Sequence, residues 1–110
     1  MLYLSQEKIN SIKEDYNHLF NDGYNIPDHT KNALDRYAIT GKGLSGFTEA
    51  IVTNDLMKAY GQADKWNRKA LNEIVQYMMA ELPYHCYGSK EAVQEWSKQE
   101  GLYGKHYSEI

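Results

Sequence analysis

The sequence predicts an all-α protein, a single-domain compact bundle of about five helices. Three observations support this class: apolar residues recur at helical spacing, good capping residues precede these segments, and glycine or proline ends them. A chain of 110 residues is long enough to bury a core without disulfides or metals. We therefore expect one helical domain over residues 1–110, with 1–4 and 102–110 at its periphery.

The longest helical pattern runs over residues 64–82. Asp64 is placed to cap its first turn, and Pro83 ends it because the residue before a proline avoids helical dihedrals. The predicted core stripe consists of six apolar residues: Leu71, Ile74, Val75, Met78, Met79 and Leu82. Burial of this stripe does not offset the cost of ordering the segment, so other amphipathic helices must cover it.

Further helices are predicted from the same signals on both sides of this segment. Ser5 is a good cap for the first, Gly41 ends the second, and Asn54 is expected to cap a short one. Ser89 is expected to cap the last helix, and Gly101 to end it. The predicted spans are 6–20, 27–40, 47–53, 55–60 and 90–99.

Composition and charge exclude several classes of protein. The apolar fraction of 42% and the charged fraction of 25% are those of an ordinary globular domain. A net charge of −3 gives no support for nucleic-acid binding, which relies on a basic surface. The single cysteine, Cys86, cannot form an intramolecular disulfide, and this favours a reducing compartment. Because neither a signal peptide nor a membrane-length apolar run is visible, we expect a cytoplasmic protein.

Tyrosine is unusually frequent, with ten residues against two phenylalanines. Tyrosine suits positions that are packed at one end and wet at the other, as in interfaces and ligand pockets. A surface with many half-buried tyrosines is the alternative. Because these rings and the two tryptophans exceed what a small core can bury, we expect the chain to form a homo-oligomer.

The loop at residues 41–46 reads GKGLSG and has the glycine spacing of a dinucleotide-binding turn. That fingerprint requires a preceding β-strand, and a helix precedes it here, so we reject a Rossmann interpretation. A Walker A loop is also excluded, because Phe47 stands where the pattern needs a lysine before the hydroxyl residue. A glycine-rich turn that carries Lys42 and leads to a helix suits an anion, and a flexible connection between helices is the alternative.

The sequence contains no catalytic or metal-binding set, and we expect neither enzymatic activity nor a cofactor. His85 and Cys86 are too few for zinc, and neighbours in an extended loop point to opposite sides, which disfavours a catalytic dyad. Glu73, Glu81 and His85 have no spacing that pairs an acid with a base.

A series of short motifs gives the chain a resemblance to a known group. The motifs are Ile26-Pro27, Arg36-Tyr37, Gly46-Phe47, Asn54-Asp55-Leu56, Ala63-Asp64, Asn67, Ile74-Val75-Tyr77, Pro83, Cys86-Tyr87-Gly88-Ser89 and Trp96. On these residues the chain resembles small, largely uncharacterised proteins of bacteriophages and other bacterial mobile elements. Tyr87 stands where those proteins usually carry tryptophan, and Gln62 where they often carry arginine.

The resemblance implies a phage or mobile-element context and no settled enzymatic activity. Together with the tyrosine surplus and the anion-suited loop, it favours a non-enzymatic binding protein that acts in counter-defence. Such a protein sequesters a nucleotide immune signal or occupies a host defence effector. The alternative is a protein–protein interaction or inhibitor module without a small-molecule ligand, for which Glu49, Asp55 and Asp64 offer acidic groups. The expected partners are a cyclic nucleotide or another anionic ligand, a host defence protein, or a second copy. Neither a membrane nor a specific nucleic acid is expected.

The candidate ligand residues combine the loop with the motifs. Lys42 and the glycines of the loop would contact phosphate, Arg36 would be a second cation, and tyrosines would stack on bases. Polar residues of the shared motifs would complete the site. The candidates are Arg36, Tyr37, Lys42, Gly43, Gly46, Asn54, Asp64, Asn67, Tyr84 and Tyr87.

Overall fold

Residues 4–106 are the part of the chain that the structure, a computed structural model, describes, and they form eight α-helices. The helices are α1 (Gln6–Asp15), α2 (Asp28–Thr40), α3 (Gly46–Val52), α4 (Leu56–Gln62), α5 (Lys65–Lys69), α6 (Leu71–Glu81), α7 (Lys90–Lys98) and α8 (Gly101–His106), and a 3₁₀ turn (Tyr84–Cys86) connects α6 to α7. These residues contain no β-strand, so the all-α class is confirmed, with eight helices in place of about five. None of these helices has the length and apolar character needed to cross a membrane.

The segment predicted as one central helix is broken at Ala70. This residue has φ −96° and ψ 8°, and it separates α5 from α6. Its N–H donates to the carbonyl of Trp66 at 3.1 Å, which closes α5. The two helices then make different contacts, because Asn67 of α5 bonds to Thr30 of α2 while α6 lies in the core. Alanine is the best helix former, so no local signal marks this break.

The predicted stripe is buried in part: Ile74 and Met78 in α6 and Leu82 directly after it belong to the core. The buried residues of α6 are Ile74, Tyr77, Met78 and Glu81, whereas Met79 is 63% exposed. Tyr77 and Glu81 face inward because their hydroxyl and carboxylate groups have hydrogen-bond partners there. A stripe drawn from apolar residues alone omits both of them and is therefore rotated towards Met79.

The core forms around α2, in which Leu34, Tyr37, Ala38 and Ile39 are entirely enclosed. Helices α1, α3 and α8 pack against α2. The indole N–H of Trp96 in α7 donates to the carbonyl of Ala38 at 3.0 Å. Helix α2 is therefore the element that the others surround.

The two segments expected at the periphery are partly built into the fold. Helix α8 packs against α2, and Leu102 is buried, so the expectation of a peripheral segment over 102–110 is wrong at its start. Leu4, in the other segment, is buried as well. Residues 1–3 and 107–110 of these segments lie outside the described residues.

Glycine allows α8 to approach α2 closely. Gly41 ends α2 with a left-handed φ of 78°, as predicted, and its N–H donates to the carbonyl of Tyr37 at 2.7 Å. Gly101 has φ +65°, and a Cβ on it would lie 2.5 Å from the carbonyl oxygen of Ile39. The sequence interpretation of Gly101 as a helix stop was therefore wrong, because it begins α8.

Three predicted N-caps are confirmed by their side-chain hydrogen bonds. Ser5, Asp64 and Ser89 each accept a bond from the backbone N–H three residues ahead, at 3.2, 2.8 and 3.0 Å. Asn54 does not cap α4. It adopts φ 67°, a conformation that asparagine tolerates, and Asp55 caps the helix instead.

Helix α1 ends at Asp15, earlier than the predicted end at Phe20. Phe20 has φ 60°, and its N–H donates to the carbonyl of Glu81 at 3.1 Å. Its side chain is buried. Phe20 therefore enters the core from an irregular segment, and this explains why it fits the apolar pattern of α1 without belonging to the helix.

A buried carboxylate, Asp35, connects three helices. It accepts hydrogen bonds from Nζ of Lys13 at 2.7 Å, from Nζ of Lys31 at 3.0 Å and from the hydroxyl of Tyr77. Burial, together with the nearby Asp35 charge, raises the pKa of Tyr77 above its ordinary value, so the hydroxyl remains a donor. Because the carboxylate has both countercharges and hydrogen bonds, its burial is tolerated.

Glu81 is a second buried carboxylate with a complete set of donors. Its Oε1 accepts from the backbone N–H and the side-chain Nδ2 of Asn21 at 2.9 and 2.8 Å, and its Oε2 accepts from the hydroxyl of Tyr24 at 2.9 Å. Partial dehydration raises the pKa of this carboxyl, but the bonds from Asn21 and Tyr24 outweigh it and leave the pKa below its ordinary value. Glu81 thereby holds the irregular segment after α1 against α6.

Candidate binding surfaces

A polar cleft lies between the first half of α2, the start of α3 and the junction of α4 and α5. Its volume of about 310 Å³ is at the small end of the range for ligand pockets, roughly 300 to 1,000 Å³. Three of the candidate residues, Gly46, Asp64 and Asn67, line it. The other lining residues are His29, Thr30, Ala33, Ser45, Phe47, Thr48 and Gln62. The last glycine of the GKGLSG loop and the first turn of α5 therefore share this cleft.

Asn67 is held in the cleft by two neighbours. Its Oδ1 accepts from the hydroxyl of Thr30, and its backbone N–H donates to Oδ1 of Asp64 at 2.8 Å. The second carboxylate oxygen of Asp64, Oδ2, lies 3.7 Å from Nε2 of His29. One oxygen of Asp64 is thus used to cap α5, and the other faces a histidine.

The hydrogen-bonding groups at the start of α3 are paired largely with side chains of the same segment. Thr48 Oγ1 accepts from the N–H of Ser45 at 2.9 Å, and the Ser45 side chain accepts from the N–H of Thr48, which completes a capping box. The Gln62 amide lies over Gly46, where a Cβ would be 2.9 Å from its Oε1. Among the described residues, no lysine or arginine lines the cleft. The cleft therefore lacks the strong cations that bind phosphate.

The two candidate cations lie away from the polar cleft. Lys42 donates from Nζ to Oγ of Ser97 in α7 at 3.1 Å. Arg36 donates to the carbonyl of Leu4 at 3.2 Å, and its side chain runs beside Gly43. Both cations thus hold neighbouring segments of the chain, and the structure does not bring them together with Gly46.

None of the candidate tyrosines lines the polar cleft. Tyr37 is fully enclosed, and its hydroxyl donates to the carbonyl of Cys86 at 2.7 Å, so it is a core residue and not a stacking surface. Tyr87 is half-buried and donates to the carbonyl of Met79 at 3.3 Å. Tyr84 is exposed on the 3₁₀ turn. The ten candidates therefore do not form one nucleotide site: Gly46, Asp64 and Asn67 line the polar cleft, whereas a separate groove beside α7 is lined by Tyr37, Lys42 and Gly43.

Helix α4 directs large apolar side chains to solvent. Leu56 is 64%, Met57 87% and Tyr60 55% exposed, and Ala59 is the only residue that α4 buries. We call Leu56, Met57 and Tyr60 the α4 surface. They lie within an arc of about 100° around the helix. Clusters of exposed apolar side chains of this kind mark interaction sites.

The rim of the α4 surface is charged. The guanidinium of Arg68 lies over the ring of Tyr60, 5.1 Å from its centroid. On another side Nζ of Lys58 lies 4.0 Å from Oε1 of Glu49. Asn54 borders a shallow groove at the start of the helix. An apolar centre with a polar rim is the usual anatomy of a protein interface. The sequence signal that could have revealed it is the adjacent pair Leu56-Met57, because neighbouring residues of a helix point about 100° apart, and the two cannot both lie at the centre of one narrow buried face.

A second, more apolar groove runs beside Trp66. Its volume is about 480 Å³, and Ile26, Pro27 and Ala70 form its apolar walls. Nζ of Lys65 lies 4.9 Å from the centroid of the Trp66 ring, and the ring is exposed. The aromatic character at the start of the predicted central helix therefore belongs to the surface.

Cys86 is unsuited to nucleophilic chemistry in this fold. It is enclosed, and burial raises the pKa of its thiol to about 12. The thiol is therefore protonated at neutral pH, whereas the thiolate is the reactive form. Within the described part of the chain, no three histidine, cysteine, aspartate or glutamate residues come together in a group that could hold a metal ion.

Comparisons with known proteins assign no family to the chain. No family model matches the sequence, no curated protein matches it, and no solved structure matches the fold.

Proposed function

We propose that this protein is a non-enzymatic binding protein whose target is another protein, held through the α4 surface. The observation that carries this proposal is the exposure of Leu56, Met57 and Tyr60 on a helix that buries Ala59 alone. Covering apolar surface is favourable by about 25 cal/mol per Å². A partner that covers these three side chains therefore gains free energy that the isolated chain does not.

The partner surface that fits α4 is a shallow apolar groove. A short helix binds such a groove through side chains at i and i+4, which is the spacing of Leu56 and Tyr60. The rim carries both signs of charge: Lys58 and Arg68 are positive, and Glu49 is negative. Apolar contact therefore dominates, and the affinity is expected to depend little on salt.

The setting that we propose is a bacteriophage or mobile element, and the role is counter-defence by occupying a host defence effector. The resemblance over residues 26–96 supports this setting. Sequestration of a nucleotide immune signal is the weaker version, because Lys42 and Arg36 are bonded to Ser97 and Leu4 instead of lining the polar cleft.

The test compares two variants, each of which introduces one negative charge, either on α4 or on α6. Met57→Glu alters the α4 surface, and Met79→Glu makes the matched change on α6, where Met79 is 63% exposed. Tagged protein is incubated with host lysate, and the retained proteins are quantified. We expect one protein in stoichiometric amount with wild type and Met79→Glu. Met57→Glu should retain about tenfold less, since burying one such side chain contributes roughly 1.5–3 kcal/mol.

Retention that is unchanged by Met57→Glu would place the binding surface elsewhere and contradict the proposal. Analytical ultracentrifugation of the purified protein tests self-association separately. A wild-type dimer that Met57→Glu converts to a monomer would assign the α4 surface to a second copy of the chain, and the proposal of a foreign target for this surface would then be wrong.

A further inference from the structure

The polar cleft contains a hydrogen-bond donor that the fold does not use. Asn67 is only 5% exposed, and its Oδ1 accepts from Thr30. Within residues 4–106, Nδ2 of Asn67 makes no hydrogen bond, yet every fully buried side-chain nitrogen or oxygen there has a partner. Nδ2 is therefore not fully buried. Asn67 lines the polar cleft, so the cleft is where a ligand can reach this N–H donor.

An acceptor lies on the same helical turn as this donor. Oδ1 of Asp64 caps α5 by accepting from the backbone N–H of Asn67 at 2.8 Å, which holds the Asp64 side chain against the backbone of Asn67. Oδ2 of Asp64 is 3.7 Å from His29, beyond hydrogen-bond distance. The Asp64 side chain is half-exposed, so Oδ2 is open to a ligand in the cleft.

The charge around this donor and acceptor selects against anions. No lysine or arginine lines the cleft in the described part of the chain, and the Asp64 carboxylate repels phosphate or carboxylate groups. Ala33 and Phe47 supply apolar wall. A cationic ammonium or guanidinium group would satisfy Oδ2 of Asp64, but it has no acceptor for Nδ2 of Asn67. The complementary ligand is therefore uncharged, with a carbonyl acceptor and an N–H donor on one edge.

We propose that the polar cleft binds the amide edge of a small uncharged ligand. Nδ2 of Asn67 donates to its carbonyl oxygen, and Oδ2 of Asp64 accepts from its N–H. Two sources share this chemistry: the lactam edge of a nucleobase such as uracil or hypoxanthine, and a primary carboxamide such as that of a glutamine side chain. The site uses none of the residues of the α4 surface, so this inference does not depend on the protein-binding proposal.

The test is an amide NMR titration of the full chain with uridine, inosine and propionamide as probes, and with uridine 5′-monophosphate for comparison with uridine. Asp64→Asn keeps the cap of α5, because asparagine caps helices as well as aspartate does, and it removes the carboxylate acceptor. Asp55→Asn is the matched control, since it makes the same change at the cap of α4, outside the cleft. We expect saturable shifts at the residues that line the cleft. Affinity should fall about tenfold in Asp64→Asn and stay unchanged in Asp55→Asn.

The results with the different probes show which kind of ligand binds and which outcomes contradict the proposal. Saturation by the nucleosides alone assigns the nucleobase edge, and saturation by propionamide alone assigns the carboxamide. No saturable shift with any of the three probes overturns the proposal. So does tighter binding of uridine 5′-monophosphate than of uridine, because phosphate would then be the recognised group. Equal loss of affinity in Asp64→Asn and Asp55→Asn also overturns it.

Discussion

The hydroxyl of Tyr77 donates a hydrogen bond to Oδ1 of Asp35, and both residues are enclosed in the core. The other oxygen of this carboxylate accepts from Lys13 and Lys31. Three helices thus meet at one buried charge. Removing any one donor leaves the carboxylate with fewer partners in a place that water does not reach, and this makes the cluster the most sensitive point of the fold.

Tyr77→Phe is expected to destabilise the protein by about 1–3 kcal/mol, because Asp35 then lacks one buried hydrogen bond. The free energy of unfolding is measured from urea denaturation followed by circular dichroism. Tyr60→Phe serves as the control, since Tyr60 is 55% exposed, and its effect should remain within about 0.5 kcal/mol. Equal effects of the two substitutions would contradict the role of the hydroxyl.

Acid should weaken the fold in part through Glu81. Partial dehydration opposes ionisation of this carboxyl, but the bonds from Asn21 and Tyr24 lower its pKa below the ordinary value of 4.5. A carboxyl with a lower pKa in the folded state adds stability above that ordinary value, and this stability is lost as the pH falls through the folded pKa. The stability difference between wild type and Glu81→Gln should therefore narrow below pH 4.5. Urea titrations at a series of pH values measure this difference. A difference that stays constant in acid would contradict the lowered pKa of Glu81.

Cys86 should react with a thiol reagent only when the protein opens. The thiol is enclosed, and burial raises its pKa to about 12, so both access and ionisation are suppressed. Labelling with a chromogenic disulfide should be slow in buffer and complete within the mixing time in concentrated urea. The chain has one cysteine, so each rate reports on this site alone. Fast stoichiometric labelling of the native protein would contradict the burial.

Two glycine substitutions should shift the melting temperature in opposite directions. Gly101→Ala forces a Cβ to within 2.5 Å of the Ile39 carbonyl oxygen at φ +65°, so it should destabilise, by more than about 1–2 kcal/mol. Gly61 lies in α4 with open space around it, so Gly61→Ala should stabilise by roughly 0.5–1 kcal/mol. Thermal unfolding measures both. Shifts of the same sign would show that the close approach of α8 does not depend on glycine.

The helical segments could be predicted because their signals are local. A cap such as Ser5 or Asp64 acts on the next turn, and Gly41 ends its own helix. The break at Ala70 and the burial of Asp35 could not be predicted, because both depend on residues distant in sequence. A residue pattern also assigns charged side chains to the surface, so it does not predict that the Asp35 carboxylate is buried with its hydrogen-bond donors.

The candidate site was only partly accessible from the sequence. Gly46, Asp64 and Asn67 were candidates, and they share one cleft. Lys42 and Arg36 are candidates because their charge suits phosphate, but the direction of a long side chain depends on which segment packs beside it. The α4 surface was missed altogether, since an apolar residue in a helical segment is assigned to the core by default.

Helix α4 is held down by very little apolar area, because Ala59 is its one buried residue. The free energy of local opening depends on such area, so α4 should detach in transient excursions while α2 stays folded. Its amides should then exchange with deuterium well before those of α2. A helix that loosens in this way can adjust its tilt to the groove that receives it, so recognition by α4 does not require a partner of one fixed shape.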